Sequence, residues 1–346
     1  MKLAPLFRAF DNTPRITSTL VQTGQHYDDR MAGLFFRDLG LPAPRYNLEA
    51  GPGSHAQQTA EIMKRFEPVL IEENPSAVLV VGDVNSTLAC ALVAKKLDFF
   101  VIHVEAGLRS FDRSMPEEIN RLVTDAISDL LLVSEESGMR NLEREGVPPE
   151  RIRFVGSLMI DSLHSHLPHS KESEILSELG VRGQRFGLVT LHRSANVDDP
   201  EQLREILCAL REISTGLPLV FPVHPRTRAH FQNQDLGPHI RVSDPLGYID
   251  FLCLMSNSAV VLTDSGGIQE ETTALGIPCL TLRNNTERPT TLEQGTNRLA
   301  GTTRESILRA WKDLPTTSGF GIIPKFWDGT AAERCVEAIC GAFEAR

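Results

Sequence analysis

Short apolar runs rich in β-branched residues recur along the chain, and each gives way to a polar or glycine turn and then to a helical period. Ala77–Val81 (AVLVV) ends at Gly82-Asp83, and a helix carrying Leu88, Ala91 and Leu92 follows. Phe99–Val104 ends at Glu105, Asp129–Val133 leads into a helix over Glu135–Glu145, and Ile152–Val155 is a further short strand. A second series opens at Phe186–Leu191, ending at His192-Arg193, and continues with Leu217–Phe221, ending at His224-Pro225-Arg226. Ala259–Thr263 stops at Asp264-Ser265-Gly266-Gly267, Ile268–Leu275 continues with helical character, and Pro278–Leu282 is the next strand. Met1–Phe10, Ala56–Glu73, Tyr248–Met255 and Ala331–Ala345 read as amphipathic helices, and Ser18–Thr23 as a strand. Unbroken apolar strands alternating with helices predict parallel sheets buried on both faces, the α/β class.

The 346 residues suffice for two such domains. Ser165–Gln184 turns polar and loses β pattern, which places the crossover near it. The expected division is 1–168, joined by the closing helix 331–346, and 169–330. A net charge of −10 and a pI near 5.5 argue against nucleic acid or an anionic membrane as partner. No segment is apolar enough to span a bilayer, and the six scattered cysteines contain no CxxC pair, as expected of reduced thiols in a cytoplasmic protein.

The strand–Gly-Gly–helix turn at Ser265, Gly266 and Gly267 has the form of an anion site, because helix N-terminal amides lack intrahelical partners and the dipole is positive there. It is neither GxGxxG nor a Walker A loop, so neither NAD nor ATP follows. Glu270 and Glu271 are expected in the first turn, within reach of ribose hydroxyls. Asp83 stands at the carboxyl end of a parallel strand, where open α/β sheets place ligands, with an N-cap as the plainer reading. The loop from Glu105 through Arg109 to Glu117, Glu118 and Arg121 is dense in charge; paired carboxylates beside arginines suit acid–base work on a phosphorylated substrate, whereas a solvated loop is the alternative. His192 and His224 end neighbouring strands without the spacing of metal ligands and suit phosphate contacts. Tyr248 and Phe251 each offer a ring to a base, with core packing as the alternative, and Arg288 offers a cation to a second phosphate.

The motifs GDVNSTLA (82–89), HVEAGLRS (103–110), PEEINR (116–121), LHR (191–193), DSGGIQEE (264–271) and NNTERP (284–289), in this order, resemble the non-hydrolysing UDP-N-acetylglucosamine 2-epimerases over essentially the whole chain. The resemblance implies two Rossmann-like domains facing across a cleft, the GT-B arrangement, with UDP held mainly by the second. It implies a homodimer that needs neither metal nor NAD. Residue by residue it implies catalytic roles for Asp83, Glu105, Glu117 and His192. It implies substrate contacts at Lys2, Phe251, Ser265, Gly266, Gly267, Glu271 and Arg288, beside which Arg109 and His224 are candidates from their positions. The implied reaction eliminates UDP to leave 2-acetamidoglucal and re-adds it with inversion at carbon 2.

Members of that family begin with a hydrophobic strand and a Gly-Thr-Arg-Pro-Glu turn, whereas this sequence begins within the helix that follows. On that comparison the first sheet is expected to lack a central strand and the start codon to lie upstream. The segment Gln25-His26-Tyr27-Asp28-Asp29-Arg30-Met31 differs from the form that binds an activating UDP-sugar, so allosteric activation is not expected. A GT-B glycosyltransferase, a hydrolysing epimerase and an inactive UDP-sugar-binding protein are the competing readings. The carboxylate-rich loop after Val104 favours the epimerase over the transferase.

Overall fold

The computed structural model describes residues 1–24, 39–223, 227–228, 236–314 and 321–344; His224 and the 25–31 segment lie outside them. The chain forms two compact units, Met1–Ser162 with Lys325–Arg346, and Leu163–Pro324. Both are α/β units built on parallel sheets with helices packed around them.

In the first unit, β1 (Val21–Gln22) and β2 (Tyr46–Asn47) form a two-stranded parallel pair. A second sheet runs in the order β3 (Ala77–Val81), β4 (Phe100–Ala106), β5 (Leu130–Val133), β6 (Ile152–Phe154), every pairing parallel. Helix His55–Glu73 begins with a capping box, Ser54 accepting from the Gln57 amide while the Gln57 side chain accepts from the Ser54 amide. It packs on helix Asn85–Lys96, which in turn packs on helix Pro116–Ile127. On the other face Leu6, Phe10, Ile102, Val104, Leu132, Ala331, Cys335 and Ile339 share one core, so helices Leu3–Asp11 and Ala331–Glu344 lie together there. Asp161 fastens the latter by accepting from the amides of Ala331 (3.0 Å) and Ala332 (2.7 Å), and the Trp327 indole donates to the Ser134 carbonyl.

The second unit holds six parallel strands in the order β12 (Asn297–Leu299), β11 (Cys279–Thr281), β10 (Val260–Thr263), β7 (Gly187–Thr190), β8 (Leu219–Pro222), β9 (Ile240–Ser243). This is the doubly wound order, with its switch point between β7 and β10. The core of one face joins Leu203, Leu207 and Leu210 of helix Pro200–Ser214 to Phe221 and Leu262, and each large apolar side chain so buried contributes about 1.5–3 kcal/mol. Asp199 caps that helix as expected, accepting from the amides of Glu201 and Gln202.

The strands read from apolar runs in both units appear with ends within two residues of expectation, apart from Ser18–Thr23, which contracts to β1. The polar stretch Ser165–Gln184 holds no strand: helix Leu158–Ser170 runs into it, and Ile175–Glu178 adds another turn. Four of the cysteines (Cys90, Cys253, Cys279 and Cys335) are buried free thiols, and burial pushes Cys90 and Cys279 up to about 12. Among the described residues no helix is long and apolar enough to cross a membrane.

Candidate functional site

The second unit gathers its candidate residues at the switch point, where the loops after β7 and β10 are tied together by Asp264. This carboxylate is buried and accepts from the amides of His192 and Arg193, from Asn196 Nδ2 and from His192 Nδ1 at 2.9 Å. Burial pushes its pKa up, but the hydrogen bond and charge of His192 and the two amides outweigh that and hold it below the usual carboxylate range. With Nδ1 engaged by Asp264 and the side chain 47 % exposed, His192 is left with Nε2 for a ligand.

Helix Gly266–Leu275 starts one residue after Ser265, so both glycines lie within its first turn. The amides at its start have no partner inside the helix, the arrangement by which helix N-termini can receive an anion. A Cβ on Gly266 would lie 2.5 Å from Glu287 Oε1, so a side chain there would require that carboxylate to shift. This earlier start corrects the expectation for Glu270 and Glu271, which fall in the second turn and are buried. Glu270 pairs with Arg288 at 3.0 Å, and Glu271 accepts from the Tyr248 hydroxyl at 2.7 Å. Arg288 is itself buried, flush against Glu270. Phe251, one turn along helix Tyr248–Ser256 from Tyr248, is half-buried.

Burial raises the Glu271 pKa from 4.5 to about 7, with the Tyr248 hydrogen bond opposing and the Glu270 charge adding to the rise. Between those two values the folded chain holds a proton that the unfolded chain has released, so stability falls as pH rises. The loss is on the order of 3 kcal/mol and complete above pH 7. Urea unfolding at pH 5 and pH 8 is expected to show this loss in the wild type and a much smaller one in Glu271→Gln. Equal pH dependence in both would remove Glu271 as its source.

In the first unit the candidate carboxylates stand at the ends of adjacent strands. Asp83 follows β3 and is not an N-cap: Val84 occupies that position. Helix Pro116–Ile127 holds Asp83 at both ends instead, Asn120 Nδ2 donating to its carbonyl (2.9 Å) and Arg121 pairing with its carboxylate. Asp83 keeps 33 % of its side chain exposed, whereas Arg121 keeps 2 %. Glu105 was expected beyond its strand and lies inside it. The β4–β5 register skips from Val104 to Ala106, leaving Glu105 as a bulge residue with φ +68°. A bulge re-aims the extra side chain, here toward Lys2, whose Nζ lies 2.6 Å from Oε2.

Of the two glutamates opening helix Pro116–Ile127, Glu117 is half-buried and Glu118 is buried. Glu118 accepts from the amides of Ser110 and Phe111, from Ser110 Oγ and from Arg121, and so folds the charged loop onto the helix. Arg109 is buried against Asp125 (2.7 Å) and Glu145 (2.7 Å), supporting that loop from beneath. Sequence reasoning did not single out Arg121, Asp264, Glu287 or Tyr248 as site residues. Arg121, Asp264 and Glu287 lie within the quoted motifs, where a charged residue beside a candidate is the available signal; in the sequence Tyr248 reads only as a ring. Glu287 is held far below the carboxylate range, Arg283, Arg193 and Arg288 overcoming its burial.

Among the described residues no group of three or more His, Cys, Asp or Glu is placed to hold a metal ion. A sequence model of UDP-N-acetylglucosamine 2-epimerases matches residues 8–340. The chain is 42 % identical over 350 residues to the UDP-N-acetylglucosamine 2-epimerase of Methanocaldococcus jannaschii, covering 98 % of this chain and 95 % of the relative. It is 40 % identical over 314 residues to the UDP-2,3-diacetamido-2,3-dideoxy-D-glucuronate 2-epimerase of Pseudomonas aeruginosa, covering 90 % and 87 %. The crystal structure of the M. jannaschii epimerase in complex with UDP-GlcNAc and UDP superposes with a TM-score of 0.90 at 40 % identity, covering 98 % of this chain and 96 % of that one.

Proposed function

The chain belongs to the UDP-N-acetylglucosamine 2-epimerase family and is an isomerase, and from that premise we propose that it interconverts UDP-N-acetylglucosamine and UDP-N-acetylmannosamine by eliminating and re-adding UDP. The observation that carries the reading is the pair Asp83 and Glu105, two carboxylates at the ends of neighbouring parallel strands, each with a cation on it.

The proton on carbon 2 is not adjacent to a carbonyl, so simple abstraction is unfavourable. Breaking the bond from carbon 1 to the diphosphate oxygen builds oxocarbenium character, which acidifies that proton. A carboxylate takes the proton, the carbon 1–carbon 2 double bond forms, and UDP leaves with the electron pair of the broken bond. Re-addition reverses these steps with the proton delivered to the opposite face. Inversion therefore needs an acid–base group on each face, and Asp83, Glu105 and Glu117 supply them. The helix start at Ser265–Gly267, His192 and Arg288 stabilise the departing diphosphate. Glu271 binds ribose, Phe251 stacks on uracil, and Lys2, Arg109 and His224 complete the substrate contacts or their support. The same reading carries a cytoplasmic homodimer that serves polysaccharide biosynthesis.

Proton NMR of UDP-N-acetylglucosamine with the protein in deuterium oxide tests this directly. Deuterium at carbon 2 together with UDP-N-acetylmannosamine is the expected result. Free UDP with N-acetylmannosamine would move the reading to a hydrolysing enzyme. The 40 % identity to an epimerase of a diacetamido uronate makes a different UDP-2-acetamido sugar the second reading; exchange with that class and none with UDP-N-acetylglucosamine would establish it.

A further inference from the structure

We propose that His103 is held as an imidazolium and, with Asp125, is a positioning residue that sets the spacing and aim of the Asp83 and Glu105 carboxylates. The proposal rests on the reading above, in which those carboxylates handle the carbon 2 proton.

His103 lies mid-strand in β4 with no exposed surface. Its Nδ1 is 2.6 Å from Asp125 Oδ1 and its Nε2 is 2.8 Å from the Gly82 carbonyl oxygen. Carboxylate and carbonyl oxygens only accept, whereas a neutral imidazole has a single N–H and would turn a lone pair on one of them. The doubly protonated ring satisfies both. Burial works against the charge, but Asp125 and the two hydrogen bonds outweigh it, and Glu105 acts in the same direction. Asp125 also accepts from the Gly107 amide (3.0 Å) and pairs with Arg109, which pairs with Glu145. Two cations thus meet two carboxylates, with Asp125 buried and Glu145 at the exposed end.

The network reaches the two acid–base carriers through their backbones. Gly82 immediately precedes Asp83, and its carbonyl is the His103 acceptor. Gly107 follows the bulge that holds Glu105, and its amide is fixed by Asp125. The chain has no slack at that point, since a Cβ on Gly107 would lie 2.5 Å from the Gly138 carbonyl oxygen. Asp125 comes from the helix whose Asn120 and Arg121 hold Asp83. One buried histidine–aspartate pair therefore locks two strand ends to one helix. A displacement of about 1 Å in a reacting group lowers turnover about 10²-fold.

Nitrogen-15 NMR of histidine-labelled wild-type protein near neutral pH is expected to show His103 with both ring nitrogens protonated and protected from exchange. A single ring N–H would overturn the assignment. His103→Gln and Asp125→Asn are each expected to lower kcat about 10²-fold with KM and UDP affinity within about threefold of wild type. A lowered melting temperature with kcat per folded molecule preserved would mean a purely structural role and overturn the positioning claim. If neither variant folds, the wild-type spectrum decides. Wild-type protein that fails to exchange the carbon 2 proton would count against the functional reading alone, since the protonation state is measured independently of turnover.

Discussion

Replacing Asp83 by Asn or Glu105 by Gln is expected to cut kcat about 10²- to 10⁴-fold while leaving UDP affinity within about threefold. Both amides keep the size of the side chain and one accepting oxygen. Asp83→Asn can still receive the hydrogen bond from Arg121, and Glu105→Gln the one from Lys2. What is lost is the ability to take and return a proton. Glu117→Gln belongs to the same series, from a side chain that is half-buried at the start of helix Pro116–Ile127. Deuterium wash-in measured separately from each epimer assigns the faces. A variant lacking the base on one face should block exchange from one epimer and still permit it from the other. Full activity in all three variants would remove acid–base chemistry from these residues.

Arg121→Met is expected to destabilise the first unit by about 3–5 kcal/mol. The guanidinium is buried, pairs with Asp83, donates to Glu118 through Nε (2.9 Å) and Nη2 (2.7 Å), and reaches Ser110 Oγ at 3.2 Å. Methionine fills similar volume with no charge, stranding the Glu118 carboxylate in the interior. Glu118 is held below its ordinary 4.5: burial works against this, and the Ser110 amide, Arg121 and the Phe111 amide outweigh it. Its contribution is therefore present above pH 4.5 and lost as pH falls through the depressed value. The difference between variant and wild type should accordingly shrink in acid. The two tryptophans separate the units: Trp327 is buried in the first, and Trp311 belongs to helix Arg304–Lys312 in the second. In urea the Trp327 transition should move while that of Trp311 stays. An unmoved Trp327 transition would show that Arg121 is not the keystone of its pocket.

The residues that were legible in the sequence are those that follow uninterrupted apolar strands, whether interior like β7 and β10 or at a sheet edge like β3. Parallel strands buried on both faces appear as unbroken apolar runs, and the first polar residue after each run marks a carboxyl end. Asp83, His192 and Ser265 were placed in this way. The edge strands β9 (IRVS) and β12 (NRL) carry polar residues, present no such run, and were not read. The bulge at Glu105 depends on pairing with β5, which has no local signature. Glycines usually break helices, so Gly266-Gly267 read as a turn, whereas in the fold they open the helix and carry Glu270 and Glu271 inward. Pairs such as Arg121–Asp83 and His192–Asp264 lie 38 and 72 residues apart and become visible only when the sheets assemble.

Asp161 waits for amides that the chain supplies only at residues 331 and 332. Between them the ribosome must make all of Leu163–Pro324, an uninterrupted unit with its own six-stranded sheet. During synthesis the second unit can therefore finish folding while the first still lacks Trp327 and the helix that covers Leu6, Ile102 and Leu132. The nascent first unit leaves that apolar face open until the last stretch emerges. A stop codon before residue 331 would release a chain with a folded second unit and an exposed, aggregation-prone first unit.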